Sequence, residues 1–358
     1  MSDLLFSKFQ LGRITLTNRV VMAPMTRSRA IGNIPSELAI TYYGQRADAG
    51  LLITEGTSPS PDGLGYARIP GIFNDAQQAA WKRVTEEVHA RGSRIFVQLM
   101  HTGRVGHENN LPKGARVVGP SAIAAPGTMH TDQAGAQPHP VPHAMTEADI
   151  EKALGEFTSA AQRAIAAGFD GIELHGANGY LIEQFLNAAS NQRTDGWGGS
   201  IEGRIRFAVE AAKRAAAAIG GDRVAIRVSP AAGTQGLVMD AQTTPLYLAL
   251  MQALKPLGLA YVHVVDHSAM GAPKPPAELL AGMRETFGGP FILAGNFDAH
   301  RAEAALSEKR GELIAFGRPF IANPSLVKKL KSGAQLRGPD FATFYTPGAA
   351  GYTDYPVD

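Results

Sequence analysis

The chain has 358 residues, 44% hydrophobic and 18% charged, with 40 glycines, a composition that suits a folded globular protein with a large apolar core and excludes general disorder. Its 34 basic residues against 32 acidic ones leave a formal charge of +2, which offers no electrostatic footprint for nucleic acid or an anionic membrane surface. With no cysteine, disulfides, thiolate-bound iron–sulfur clusters and thiol nucleophiles are all excluded, so any redox chemistry must come from a bound organic cofactor or a metal. No run approaches the roughly 18 apolar residues that a membrane span needs, and Met1-Ser2-Asp3-Leu4 is not a basic segment leading into a long apolar one. These features predict a soluble, cytoplasmic protein; small-molecule partners and a monomer or homodimer are the accompanying expectations.

In chain order, eight short apolar runs read as strands: Arg19–Met22, Leu51–Thr54, Arg94–Leu99, Gly171–Leu174, Val224–Val228, Tyr261–Val265, Phe291–Leu293 and Leu313–Phe316. Their near-continuous aliphatic and β-branched content suits strands buried on both faces. Between them lie Ala-rich segments such as Ile150–Ala167 and Arg204–Ile219, whose apolar spacing predicts helices. This alternation implies a parallel sheet, and the expected fold is a single (β/α)8 TIM barrel spanning residues 1–358. Gly103–Ala144 interrupts the pattern as a long excursion between the third and fourth strands, rich in Gly and Pro. It reads either as a surface loop or as a cap over the barrel mouth.

In such a barrel the residues just after each strand converge on one rim. The seventh and eighth strand ends deliver Gly295-Asn296 and Gly317-Arg318. That is where these barrels commonly hold phosphate, with glycine admitting backbone N–H groups and Arg adding a charge-assisted contact. Gln98 and Arg227 end two other strands, and an amide beside a permanent cation suits the pyrimidine ring of a flavin, whose N1–O2 edge gains negative charge on reduction. Thr26, after Pro24-Met25, offers a hydroxyl to flavin O4. His175 and Asn178 can both donate to one carbonyl oxygen, and Tyr180 follows in the same glycine-bounded loop with a proton to give. His101 is expected only to buttress the rim. His130, His139 and His143 lie among prolines, without the helical presentation of a metal-binding pair, so no metal is expected. A metal-dependent barrel hydrolase would commonly need a His-x-His pair after the first strand, where this chain has Ala23-Pro24-Met25.

An ordered set of motifs resembles the Old Yellow Enzyme family of flavin ene-reductases, and within it the bacterial branch of N-ethylmaleimide and nitrate-ester reductases. The set comprises Asn18–Arg27, His175-Gly176-Ala177-Asn178-Gly179-Tyr180-Leu181, Asn191–Asp195 with Trp197–Glu202, Phe316–Phe320 and Gly351–Pro356. The resemblance implies non-covalent FMN held by Pro24, Met25, Thr26 and Gly56, by Gln98 and Arg227, and at its phosphate by Gly295, Asn296, Gly317 and Arg318. It also implies that NADPH, or NADH, reduces FMN and leaves before an activated alkene binds in the same pocket. The alkene's oxygen would lie at His175 and Asn178, its β-carbon taking hydride from the flavin and the neighbouring carbon a proton from Tyr180. Enones, maleimides and nitroalkenes are the implied substrates, with nitrate esters and nitroaromatics as further candidates. Tyr66 and Tyr345 match positions that line the substrate cavity in similar enzymes. Two departures concern pocket shape: Met100 where many relatives have Trp, and Gly56 where Ala is frequent.

Overall fold

The computed structural model describes residues 4–231 and 233–357. Met1, Ser2 and Asp3, on which the reading of the N-terminus partly rests, lie outside them. Eight parallel strands close into a barrel: β1 Val20–Met22, β2 Leu51–Ile53, β3 Arg94–Leu99, β4 Gly171–Gly176, β5 Val224–Val228, β6 Tyr261–Val265, β7 Phe291–Ala294 and β8 Leu313–Phe316. All eight coincide with the expected runs to within two residues at either end. Around them run the helices α1 Glu37–Gly44, α2 Asp75–Ala90, α3 Glu147–Ala166, α4 Ile201–Ile219, α5 Thr243–Leu254, α6 Ala277–Phe287 and α7 Ala299–Ser307. Among the described residues no helix is long and apolar enough to cross a membrane.

Two helices begin three residues before their apolar pattern does, because caps set their starts. Thr146 and Asp149 form a reciprocal capping box at α3, and the Ser200 hydroxyl accepts the Gly203 N–H at α4. Alternation along each strand sorts side chains into two layers. Val97, Leu99, Ile172, Leu174, Ile226 and Val228 face the helices, whereas Val21, Phe96, Ala225, Tyr261, Ile292 and Ala315 face the barrel interior. An N-terminal hairpin, Phe9–Leu11 with Ile14–Leu16, packs Leu11 and Leu16 into that interior cluster.

The excursion is more ordered than its composition suggests. It carries an antiparallel hairpin, Thr128–Thr131 with Gly135–Pro138, and a short parallel pair, Val118–Gly119 with His143–Ala144. Met129 of the hairpin is buried in a cluster with Met100, Val105 and Tyr180, so the excursion forms part of the wall beside the barrel mouth.

The opposite wall comes from the C-terminal tail, which three buried arginines from the first elements secure. The Arg27 guanidinium donates to the Gly351 carbonyl at 2.7 Å. Arg29 donates to the carbonyls of Thr343 and Phe344, both at 2.7 Å, and of Ala350 at 2.9 Å. Arg46 holds the Phe320 and Ile321 carbonyls, each at 2.8 Å, and lies 3.8 Å from the centroid of Tyr42, which stacks on Tyr352 of the tail. Burial and the charge of Arg27 push Arg29 down to about 10, still far above neutral pH, so its charge persists. Arg29→Ala leaves several tail carbonyls without their charged donor, which should cost about 2–3 kcal/mol. The expected result is a lower urea midpoint and cleavage within residues 341–352 under limited proteolysis, and an unchanged cleavage pattern would contradict the clamp.

Candidate active site

The C-terminal ends of the strands open into one cavity of about 560 Å³. This is the size range of cofactor pockets. Its lining includes Pro24, Met25 and Thr26 after β1, Gln98 and Met100 of the third strand and its exit, and His175, Asn178 and Tyr180 of the fourth. Arg227 of β5, Gly295 and Asn296 after β7, Gly317 and Arg318 after β8, and Tyr345 of the tail complete the expected set. Tyr66 lines an adjoining hollow together with Thr26, Tyr180 and Tyr345.

Gly56 alone stands apart from the expected set. It is not among the lining residues, and a Cβ there would meet the Met100 thioether, 2.5 Å from Sδ and 2.6 Å from Cε. The two departures from the family pattern are therefore in contact: a side chain at position 56 would have to displace the Met100 thioether from its present path.

Register builds the cavity floor. Glu173 pairs with Gln98 across β4 and β3, and Arg227 pairs with both His175 and His263 across β5 and its neighbours. Gln98 donates from Nε2 to Glu173 Oε1 at 2.8 Å, so its amide oxygen is turned away from that carboxylate. The Arg227 Nε is buried with no hydrogen-bond partner among the described residues. An acceptor and an unsatisfied cation thus border a common space, the combination that the pyrimidine edge of a flavin fits. Beside them, among the described residues no atom approaches a Cβ at Gly317 closer than 3.6 Å. Neighbouring protein atoms therefore do not demand glycine there, whereas a phosphate seated on the backbone would. At Gly295 a Cβ would stand 3.1 Å from the Asp266 Cβ, so packing explains part of that glycine. Asn296 adopts φ 54°, and Arg301 donates to its carbonyl, fixing the loop between them.

The polar end of the cavity is equally constrained. The His175 Nδ1 accepts the Ala177 N–H at 3.3 Å, which leaves the proton of the neutral ring on Nε2 as a donor. Burial, reinforced by the charge of Arg227, holds this ring well below the usual imidazole range, so it stays neutral at physiological pH. Asn178 sits at φ 61°, a left-handed conformation that asparagine tolerates. Its N–H donates to the Ser229 hydroxyl at 2.9 Å, Ser229 donates to Glu183 at 2.7 Å, and the Gly179 N–H donates to the same carboxyl group at 2.6 Å. Burial pushes Glu183 up to about 7 despite those donors. The loop that presents Asn178 is therefore pinned from beneath.

His267 Nε2 lies 2.7 Å from Asn178 Oδ1. Burial first, then the charge of Arg227, lowers His267 to about 4, and with the neutral ring's proton on Nε2 it donates to Oδ1. The Asn178 NH2 is then left for a ligand. Tyr180 packs edge-on to His175 with centroids 4.8 Å apart, and its hydroxyl lies 2.9 Å from that of Tyr66. Burial, then Tyr66, raises Tyr180 well above the ordinary phenol range, so the hydroxyl retains its proton.

His101 buttresses the rim as expected: its Nδ1 accepts the Gly103 N–H at 3.1 Å and its carbonyl accepts the Leu181 N–H at 3.0 Å. Sequence reasoning passed over Glu173, His263, Glu183 and His267. A charged residue in the middle of Gly171–Leu174, in phase with His175, was the available signal for Glu173. Among the described residues, no group of three or more His, Asp or Glu side chains has the arrangement to hold a metal ion.

The profile of the NADH:flavin oxidoreductase / NADH oxidase family matches residues 4–337. Chanoclavine-I aldehyde reductase of Penicillium roqueforti is 43% identical over 364 residues, covering 98% of this chain and 95% of its own. Morphinone reductase in complex with tetrahydroNAD superimposes with a TM-score of 0.93 at 44% identity, covering 98% of this chain and 97% of its own. The Old Yellow Enzyme homologue of Zymomonas mobilis gives a TM-score of 0.94 at 38% identity, covering 98% of this chain and 99% of its own. The chain therefore belongs to the NADH:flavin oxidoreductase / NADH oxidase family and is an FMN-dependent, NAD(P)H-using flavoenzyme of the Old Yellow Enzyme type.

Proposed function

We propose that this enzyme reduces the C=C bond of alkenes conjugated to a carbonyl or nitro group, with His175 and Asn178 holding the substrate oxygen and Tyr180 supplying the proton. The observation that carries this reading is that a protonated, high-pKa tyrosine hydroxyl and two side-chain N–H donors share one end of a cavity whose floor suits a flavin. Gln98, Arg227 and Thr26 would bind the ring edges of FMN, with Pro24 and Met25 beside it and Gly295, Asn296, Gly317 and Arg318 around its phosphate. When bound, FMN supplies the hydride that NADPH, or NADH, delivered and that the β-carbon of the alkene receives.

The residues of the chain then account for the remaining chemistry. Two N–H donors aimed at one oxygen polarise the conjugated bond and stabilise the charge that develops on that oxygen. A neutral His175 serves here because its Nε2–H is fixed by the backbone bond at Nδ1. Tyr180 delivers its proton at the carbon next to the activating group, and Tyr66 stands within hydrogen-bond distance to restore it. Tyr345 and Met100 bound the space for substituents. The same pair of donors suits the oxygens of nitrate esters and nitroaromatics, which extends the proposed substrate class.

Anaerobic titration with NADPH followed by cyclohexenone tests the reading directly: the yellow colour should bleach and then return. A protein that NADPH fails to bleach, or that the enone fails to reoxidise, would overturn it. Replacing His175 and Asn178 with Ala should weaken phenol binding and enone reduction, by about 2.7–4 kcal/mol per donor in activity, while FMN stays bound. Phenol affinity equal to that of the parent would contradict their role. Tyr180→Phe should slow alkene reduction by about 10²–10⁴-fold and leave reduction by NADPH nearly intact, whereas equal slowing of both would mean that the tyrosine only packs. Met100→Trp should narrow the cavity and disfavour bulky enones relative to small ones. Identical relative rates and identical product enantiomers across such a series would show that this side chain does not shape substrate choice.

A further inference from the structure

Directly beneath the cavity floor lies a buried polar group that no part of the catalytic sequence uses. Glu173 is fully buried at mid-strand in β4. One carboxylate oxygen accepts from Gln98 Nε2 and the other lies 2.8 Å from His263 Nδ1 on β6. Neither Glu173 nor His263 lines the cavity, whereas Gln98 and Arg227 do. An isolated ionised carboxylate in an apolar barrel interior is costly, and interiors retain one only where partners compensate. Burial opposes its ionisation, yet His263, Arg227 and Gln98 together outweigh burial and hold Glu173 below the ordinary carboxylic range. It therefore stands as an anion behind two residues assigned to the flavin.

The geometry points to Glu173 as a positioning residue that fixes the Gln98 amide with its oxygen toward the cavity and offsets the charge of Arg227, thereby tuning how readily bound FMN is reduced. This inference rests on the assignment of Gln98 and Arg227 to FMN. A carboxylate only accepts hydrogen bonds, so the amide NH2 of Gln98 must turn toward it, and Oε1 is left for an N–H of the ligand. A glutamine at position 173 would lose that discrimination, since its amide can meet Gln98 with either end. The electrostatic effect is separate from this. Reduction adds negative charge to the flavin, which Arg227 favours and a buried anion behind it disfavours. The carboxylate thus keeps reduced FMN a stronger hydride donor than Arg227 alone would permit.

The two effects separate in two variants measured as holoenzymes. Glu173→Gln removes the charge and the one-way hydrogen bond together. The FMN midpoint potential should move to a more positive value, by about 30 mV for each tenfold gain in relative affinity for the reduced form. Oxidised FMN should also dissociate more readily. Glu173→Asp keeps the charge and withdraws the carboxylate from Gln98, so FMN binding should weaken tenfold or more while the potential stays close to that of the parent. A purely structural role would weaken binding in both without this split in potential. Parent-like potential and FMN affinity in Glu173→Gln, or equal potentials in the two variants, overturns the inference. Should Glu173→Gln not fold, unchanged FMN affinity in Glu173→Asp overturns it alone. Gln98→Ala and Arg227→Lys serve as the control arm. If neither alters FMN affinity, the floor assignment fails and the inference falls with it. If both do and the Glu173 variants match the parent, only the inference fails.

Discussion

Closing eight parallel strands into a barrel forces alternate side chains of every strand into one shared interior, and the chemistry of this protein depends on how that interior is filled. Most of it is apolar, with Val21, Phe96, Ala225, Tyr261, Ile292 and Ala315 packed together. One sector is not: Gln98, Glu173, Arg227 and His263 face inward from four adjacent strands, β3 to β6, in neighbouring register positions. Buried polar groups of this kind are tolerable only when their bonding is satisfied or when a ligand completes it. Here Glu173 has both oxygens engaged, whereas Arg227 Nε and His263 Nε2 are buried without a hydrogen-bond partner among the described residues. Of the four, Gln98 and Arg227 line the cavity.

The same logic of support from beneath recurs at the polar end. Asn178 is presented in a left-handed conformation, and Ser229 and Glu183 hold the backbone that presents it. His175 takes its donor tautomer from the Ala177 N–H. Gln98, His175 and Asn178 therefore each have a second residue that decides their orientation before any ligand arrives, and such preorganisation is where electrostatic stabilisation in active sites originates. The walls are held differently. Three arginines near the start of the chain, Arg27, Arg29 and Arg46, donate to carbonyls of a tail more than 300 residues later, and so place Phe344 and Tyr345 at the mouth. The contact of Met100 with Gly56 shows that wall shape is set by pairs of residues as much as by single ones.

Much of this was legible in the chain itself. Eight apolar runs alternating with Ala-rich stretches specify a parallel barrel because period and burial leave few other arrangements. Residues at strand ends must then share a rim, which is why Gln98, His175, Arg227, Gly295 and Gly317 were readable as one site from their positions alone. The ordered motifs carried the family. What only the tertiary structure decided depends on contacts between segments far apart in sequence. Register set Glu173 against Gln98, and a crossing of β5 placed His263 beside Glu173. The bend after β6 brought His267 to Asn178, the excursion folded a hairpin against Tyr180, and Met100 packed against Gly56. Periodicity reports which face a residue occupies, but the residue it meets there is fixed by long-range packing, and orientation of the ligand-facing groups is a property of those pairs.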